Sequence, residues 1–132
     1  MSAAKLDEVA RRHGILLLLQ FGSSVSGPLR PDSDLDLAVL LEHAPDSFRE
    51  HGELIGDLQQ CFPEREVDVA LINRADPLFL KRITDRCTRL YGSPRRLHEL
   101  KLYAFKRYQD HRRYLAAERE YVTRKLRALT NR

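Results

Sequence analysis

Apolar and polar residues alternate along the chain in blocks with different periods. Residues 3–13 place Leu6, Val9 and Ala10 at helical spacing, and Gly14 is suited to end that helix with Arg11, Arg12 and His13 in its last turn. Ile15–Phe21 is a continuous apolar run of strand length, the pattern of a strand buried on both faces. A second run, Leu35–Leu41, follows after a connection rich in Gly, Ser and Pro; Pro28 and Pro31 prevent a long helix there. Residues 46–62 return to helical spacing through Phe48, Leu54, Ile55, Leu58 and Phe62, with Asp46 or Pro45 expected in front and Pro63 behind.

A third strand is expected over 66–72. Val67, Val69 and Leu71 fall on one face, and Asp68, Ala70 and Ile72 on the other. Asp76-Pro77 has the form of a helix start, with Leu78, Phe79, Ile83 and Cys87 as its buried side. Residues 88–91 read as a short edge strand closed by Gly92. Ser93-Pro94 opens a final helix that meets neither Pro nor Gly through Leu129. At 1.5 Å per residue it would be a rod of roughly 54 Å, against about 25–30 Å for a globule of the preceding residues. It must overhang, fold back or pack on another chain. The resulting expectation is α/β (α+β): a small mixed sheet flanked by helices, with a long C-terminal helix. The chain divides into a domain over 1–92 and a basic helical extension over 93–132.

Charge sharpens that division. Residues 1–92 carry a net −4 and residues 93–132 a net +8, within the +4 of the whole chain. A basic tail on an acidic body implies an acidic counterpart: a partner protein, RNA, or the body of a second copy. Tyr108, Leu115, Val122 and Leu129 recur every seven residues in the tail, a partial seam for another helix and hence for a homodimer or hetero-oligomer. An ordinary amphipathic helix with a solvated basic face is the plainer alternative. No apolar run approaches the roughly 18–20 residues of a membrane span, and no apolar stretch follows the first basic residues, so neither membrane insertion nor a secretory leader is expected. Cys61 and Cys87 fit no metal-ligand spacing and read as free thiols of a cytoplasmic protein.

The candidate chemistry lies between the first two strands and on the third. Asp34 and Asp36 are two residues apart at the start of a strand, so both project to the same face. Gly22-Ser23 precedes them by ten intervening residues and forms a turn where backbone N–H groups can approach a phosphate. Ser23 or Ser24 could cap a short helix, Ser33 leads into the aspartates, and Arg30 is a candidate counter-charge for a leaving diphosphate. Asp68 is the only acidic residue in the middle of the third strand. If strands two and three are neighbours, it joins Asp34 and Asp36, and three adjacent carboxylates call for a cation. Mg²⁺ suits them, and two such ions are the usual clamp for displacement at phosphorus. Plainer readings stand beside these: a Gly-Ser turn can be only a turn, Asp34 can cap a loop, and Asp68 can pair with an arginine such as Arg65.

Taken together, Gly22-Ser23, ten residues, Asp34-x-Asp36 and Asp68 on a later strand resemble the nucleotidyltransferase superfamily typified by DNA polymerase β. The small size resembles its minimal members, many of them antitoxins partnered with a HEPN-type toxin ribonuclease. The resemblance implies a polymerase β-like fold and transfer of AMP from ATP to a tyrosine hydroxyl of the toxin, with Mg²⁺ as cofactor. It implies Asp34, Asp36 and Asp68 as catalytic metal ligands, Asp68 also as the base, and Gly22, Ser23, Ser24, Arg30 and Ser33 at the nucleotide. Where many relatives carry arginines just after Gly-Ser, this chain has Ser24, Val25 and Ser26. Direct nucleic-acid binding is not expected. The alternatives are an antitoxin acting by occlusion alone, or a transferase whose acceptor is a small molecule or an RNA end.

Overall fold

The computed structural model describes residues 2–22, 25 and 34–130. Helix α1 (Ala3–His13) leads into β1 (Ile15–Phe21) through Gly14, whose φ of 67° is the left-handed geometry that ends a helix. Then come β2 (Leu35–Leu41), α2 (Phe48–Cys61), β3 (Val67–Leu71), a 3₁₀ turn (Ile72–Arg74), α3 (Pro77–Asp85), β4 (Cys87–Tyr91) and α4 (Pro94–Thr130). The four strands lie in the order β3-β2-β1-β4, with β2 and β3 parallel and the other two pairs antiparallel. The expected mixed sheet with a long terminal helix is therefore present.

The two central strands are buried on both faces and separate two apolar layers. One face of the sheet packs Leu18, Leu35, Leu37 and Val39 against Leu6, Val9 and Ala10 of α1 and Leu54, Leu58 and Cys61 of α2. The opposite face packs Leu17, Leu19, Phe21 and Ala38 against Leu80 and Ile83 of α3 and Leu100 and Ala104 of α4. At the surface Asp57 of α2 accepts from Arg12 (3.2 Å) and lies 2.6 Å from Nε2 of His13, pinning α1 to α2.

The structure departs from expectation at several places. Ser47, rather than Asp46 or Pro45, caps α2: its Oγ accepts from the Glu50 amide at 3.2 Å, while Glu50 reaches back to the Asp46 amide at 2.9 Å. Phe48 is then the first helical residue, pointing outward, and is 99% exposed. In α3 the buried side is Leu80, Ile83 and Thr84; Leu78 is exposed and Cys87 belongs to β4. The third strand is shorter than expected, with Ile72 starting the 3₁₀ turn, and it is an edge strand on which Asp68 is exposed. Val67, Val69 and Leu71 pack towards α2, Ala70 packs on the other face, and only Asp68 of that strand is exposed.

Helix α4 has 37 residues, about 55 Å of rod. Its first turns are anchored by Leu100 and Ala104, with Leu97 packed beside them. From residue 112 to 130 every residue is exposed, so of the three expected arrangements the chain itself shows the overhang. Leu115, Val122 and Leu129 of the seven-residue seam all face solvent.

Candidate functional site

The parallel pairing of β2 with β3 sets Asp36 directly opposite Asp68, and Leu35 opposite Val67. Residues opposed in a parallel ladder point to the same side. Ala38 and Ala70 continue that side inward and pack with the α3–α4 layer, so Asp34, Asp36 and Asp68 lie on the same face, at its uncovered end. Asp36 is half-buried, whereas Asp34 and Asp68 are exposed.

Polar side chains fix this register. Gln59 of α2 donates to the carbonyls of Phe62 (3.0 Å) and Arg65 (2.6 Å) and accepts from the Val67 amide (3.0 Å), so one amide group shapes the approach to β3. The Leu35 amide bonds the Glu66 carbonyl at 2.8 Å. At the far end Asn73 accepts from the Leu41 amide (2.9 Å) and donates to its carbonyl (2.8 Å), locking the 3₁₀ turn to the last residue of β2. Neither Gln59 nor Asn73 stands out in the sequence, because each acts on backbone brought near by the fold.

Gly22 ends β1 with φ of 80°, and a Cβ there would lie 3.1 Å from Oδ2 of Asp36. The glycine therefore serves both a backbone conformation that other residues rarely adopt and a close approach to a carboxylate. Ser23, Ser24, Arg30 and Ser33 lie outside the described residues.

Burial first, then the negative charges of Asp68 and Asp34, push the Asp36 carboxyl above its usual range; the positive charge of Arg82 pulls the other way. The three aspartates are thus electrostatic neighbours. Among the described residues, no three His, Cys, Asp or Glu side chains already form a metal cage. The donor set nonetheless fits a hard divalent cation. All three groups are carboxylates, which Mg²⁺ prefers, and a cation beside Asp36 would relieve the repulsion acting on it.

On the same side of the sheet a cavity of about 500 Å³ runs from Gly22 to α3 and α4, lined by Leu78, Lys81, Arg82, Asp85, Arg86 and Tyr108. Lys81 pairs with Asp85 at 2.5 Å and sits 4.9 Å above the Tyr108 ring. The sequence pattern gave no sign that these α3 residues border the site.

Residues 4–96 match the family model described as polymerase beta, nucleotidyltransferase. No curated protein sequence matches the chain. Among solved structures, a toxin–antitoxin complex with AMP-PNP contains a chain with TM-score 0.71 and 22% identity, with 96% of this chain and 98% of that one covered. A structure of a tri-AMPylated Shewanella oneidensis HEPN toxin in complex with MNT antitoxin matches with TM-score 0.64 and 21% identity over 93% of each chain. Spectinomycin adenyltransferase AAD(9) from Enterococcus faecialis, with ATP and spectinomycin, matches at TM-score 0.53 and 18% identity, over 74% of this chain and 57% of that one. At these identities the shared feature is the fold. The match over residues 4–96 takes in β1 to β4 and all three facing aspartates, and the chain belongs to the polymerase β nucleotidyltransferase family.

Proposed function

We propose that this protein is an antitoxin that transfers AMP from ATP to a tyrosine hydroxyl of a cognate HEPN-type toxin. The observation that carries the reading is the register that sets Asp36 against Asp68 beside the Gly22 turn, in a chain of this family. The partner is inferred from structures that contain toxin–antitoxin pairs and that this chain matches over nearly its whole length.

Asp34, Asp36 and Asp68 would hold Mg²⁺, which supplies neutralisation of the phosphate charge when bound. The acceptor oxygen attacks the α-phosphorus, the bond to the bridging oxygen breaks, and pyrophosphate leaves. The acceptor proton passes to Asp68, whose exposed position at the edge of the sheet lets a protein hydroxyl reach it. Gly22 admits the phosphates close to the backbone, with Ser23, Ser24, Arg30 and Ser33 as the remaining nucleotide contacts. Residues 1–92 perform the chemistry and residues 93–132 engage the partner. The setting is cytoplasmic, in keeping with two free thiols and with the lack, among the described residues, of any helix long and apolar enough to cross a membrane.

A second reading, neutralisation by occlusion without transfer, is favoured by the exposed apolar residues of the overhang. The two separate in one assay. With α-labelled ATP, Mg²⁺ and the toxin, the wild type labels the toxin and Asp36→Asn does not, while both capture it. Capture without labelling by the wild type overturns the transferase reading.

A further inference from the structure

Three carboxylates in one place attract a metal ion but repel a nucleoside triphosphate, so a cation on the nucleotide's side of the site is required. The cavity that opens at Gly22 is where such a cation can act. Its volume of about 500 Å³ falls in the range of small-ligand sites, roughly 300–1,000 Å³, and its lining includes Gly22, where a Cβ would lie 3.1 Å from Oδ2 of Asp36.

Three cationic side chains border it, Lys81 and Arg82 on α3 and Arg86 just after it, and they differ in what already holds them. Lys81 is committed to Asp85 and to the face of Tyr108. Arg86 also has a partner. Arg82 is exposed, and among the described residues it forms no salt bridge. It lines the same cavity as Gly22, the residue whose Cβ would meet Asp36. A planar guanidinium with five donors is the side chain best matched to phosphate oxygens, which it can bind in pairs. Leu78 and Tyr108 give the same cavity an apolar and aromatic rim.

We propose that Arg82 is the positioning residue for the triphosphate, holding its oxygens in the cavity between Gly22 and α3 while the aspartates hold the opposite side. The inference rests on the nucleotidyltransferase reading and adds a residue to it. It also makes α3, rather than the Gly-Ser turn alone, a phosphate-binding element of this chain.

The test is binding to the full-length protein with Mg²⁺, read by calorimetry with AMP-PNP, inorganic tripolyphosphate and adenosine as separate probes. Arg82→Ala weakens AMP-PNP and tripolyphosphate by about tenfold or more, the scale of one charge-assisted pair to phosphate, and leaves adenosine binding and the melting temperature unchanged. Arg82→Lys recovers part of the loss, since it keeps the charge but not the fork. AMP-PNP binding within twofold of wild type in Arg82→Ala overturns the proposal, as does an equal loss for adenosine. Failure of the wild type to bind AMP-PNP at all counts instead against the transferase reading.

Discussion

Replacing Gly22 with alanine separates the catalytic use of this glycine from its backbone use. The new Cβ meets Oδ2 of Asp36 at 3.1 Å, a contact that a side-chain carboxylate relieves by moving a few tenths of an ångström. The φ of 80° adds the cost of a left-handed conformation, about 1–2 kcal/mol for a residue with a Cβ. For a chain of this size that lowers the melting temperature by roughly 4–8 °C and leaves the protein folded at 20 °C. Activity falls further than stability. A 1 Å misplacement at a reacting centre costs on the order of a hundredfold, so a shift of a few tenths of an ångström in Asp36 costs roughly tenfold in kcat.

Gly92→Ala is the comparison. There a Cβ at φ 101° overlaps the Leu16 carbonyl oxygen and comes within 3.0 Å of Leu17 Cδ1, both on β1 beneath the β4–α4 corner. Backbone cannot yield as a carboxylate does, and the loss is about 3 kcal/mol or more of stability. The assay is transfer of labelled AMP to the toxin at 20 °C beside a circular-dichroism melt of each variant. A Gly22→Ala protein that is folded and works within twofold of wild type refutes the reasoning, because Asp36 would then tolerate displacement.

Three other outcomes are expected. The raised Asp36 pKa means that its ionised form weakens the fold, so stability is full below the unfolded pKa and falls as pH rises through the folded value; Asp36→Asn therefore melts at or above the wild type at pH 7, and Mg²⁺ raises the melting temperature of the wild type more than that of the variant. Asp57 is held below its usual 3.8, chiefly by its hydrogen bond with His13, so it stabilises the protein above that value and ceases to as pH falls through its folded pKa; Asp57→Asn costs about 0.5–1 kcal/mol at pH 7, and acid-titrated melts show the gap closing below that range. Val122→Asp with Leu126→Asp, 46% and 57% exposed in the wild type, leaves the melting temperature within about 2 °C and abolishes capture of the toxin in a pull-down; unchanged capture removes the overhang from the interface.

Much of this was legible in the residues themselves. The two central strands announce themselves because burial on both faces permits no polar interruption between Leu37 and Leu41. Helix starts at Asp76-Pro77 and Ser93-Pro94 were equally clear, since each capping oxygen acts within three residues. The spacing of Asp34 and Asp36 on one face needed only the pleat. What strand periodicity could not supply was neighbourhood. Whether β3 is central or at an edge depends on which strand lies beyond it, and Asp68 is exposed because none does. Phe48 looked like a core residue because a helical period ignores which turn the cap occupies. Arg82 was invisible for a related reason: it lines one cavity with Gly22, far earlier in the chain.

The long terminal helix is continuous from Pro94, where it is anchored beside α3, to Thr130. It therefore fixes an azimuth as well as a distance. Anything gripped beyond residue 112 is presented to the three aspartates at an angle set by the number of residues between anchor and grip. One residue inserted near Arg113 turns the distal half by about 100° and advances it about 1.5 Å. Seven inserted residues restore the angle to within roughly 20° but move the grip about 10 Å outward. The length of this helix is in that sense a phase setting for the angle between its distal half and the edge of the sheet where Asp68 lies.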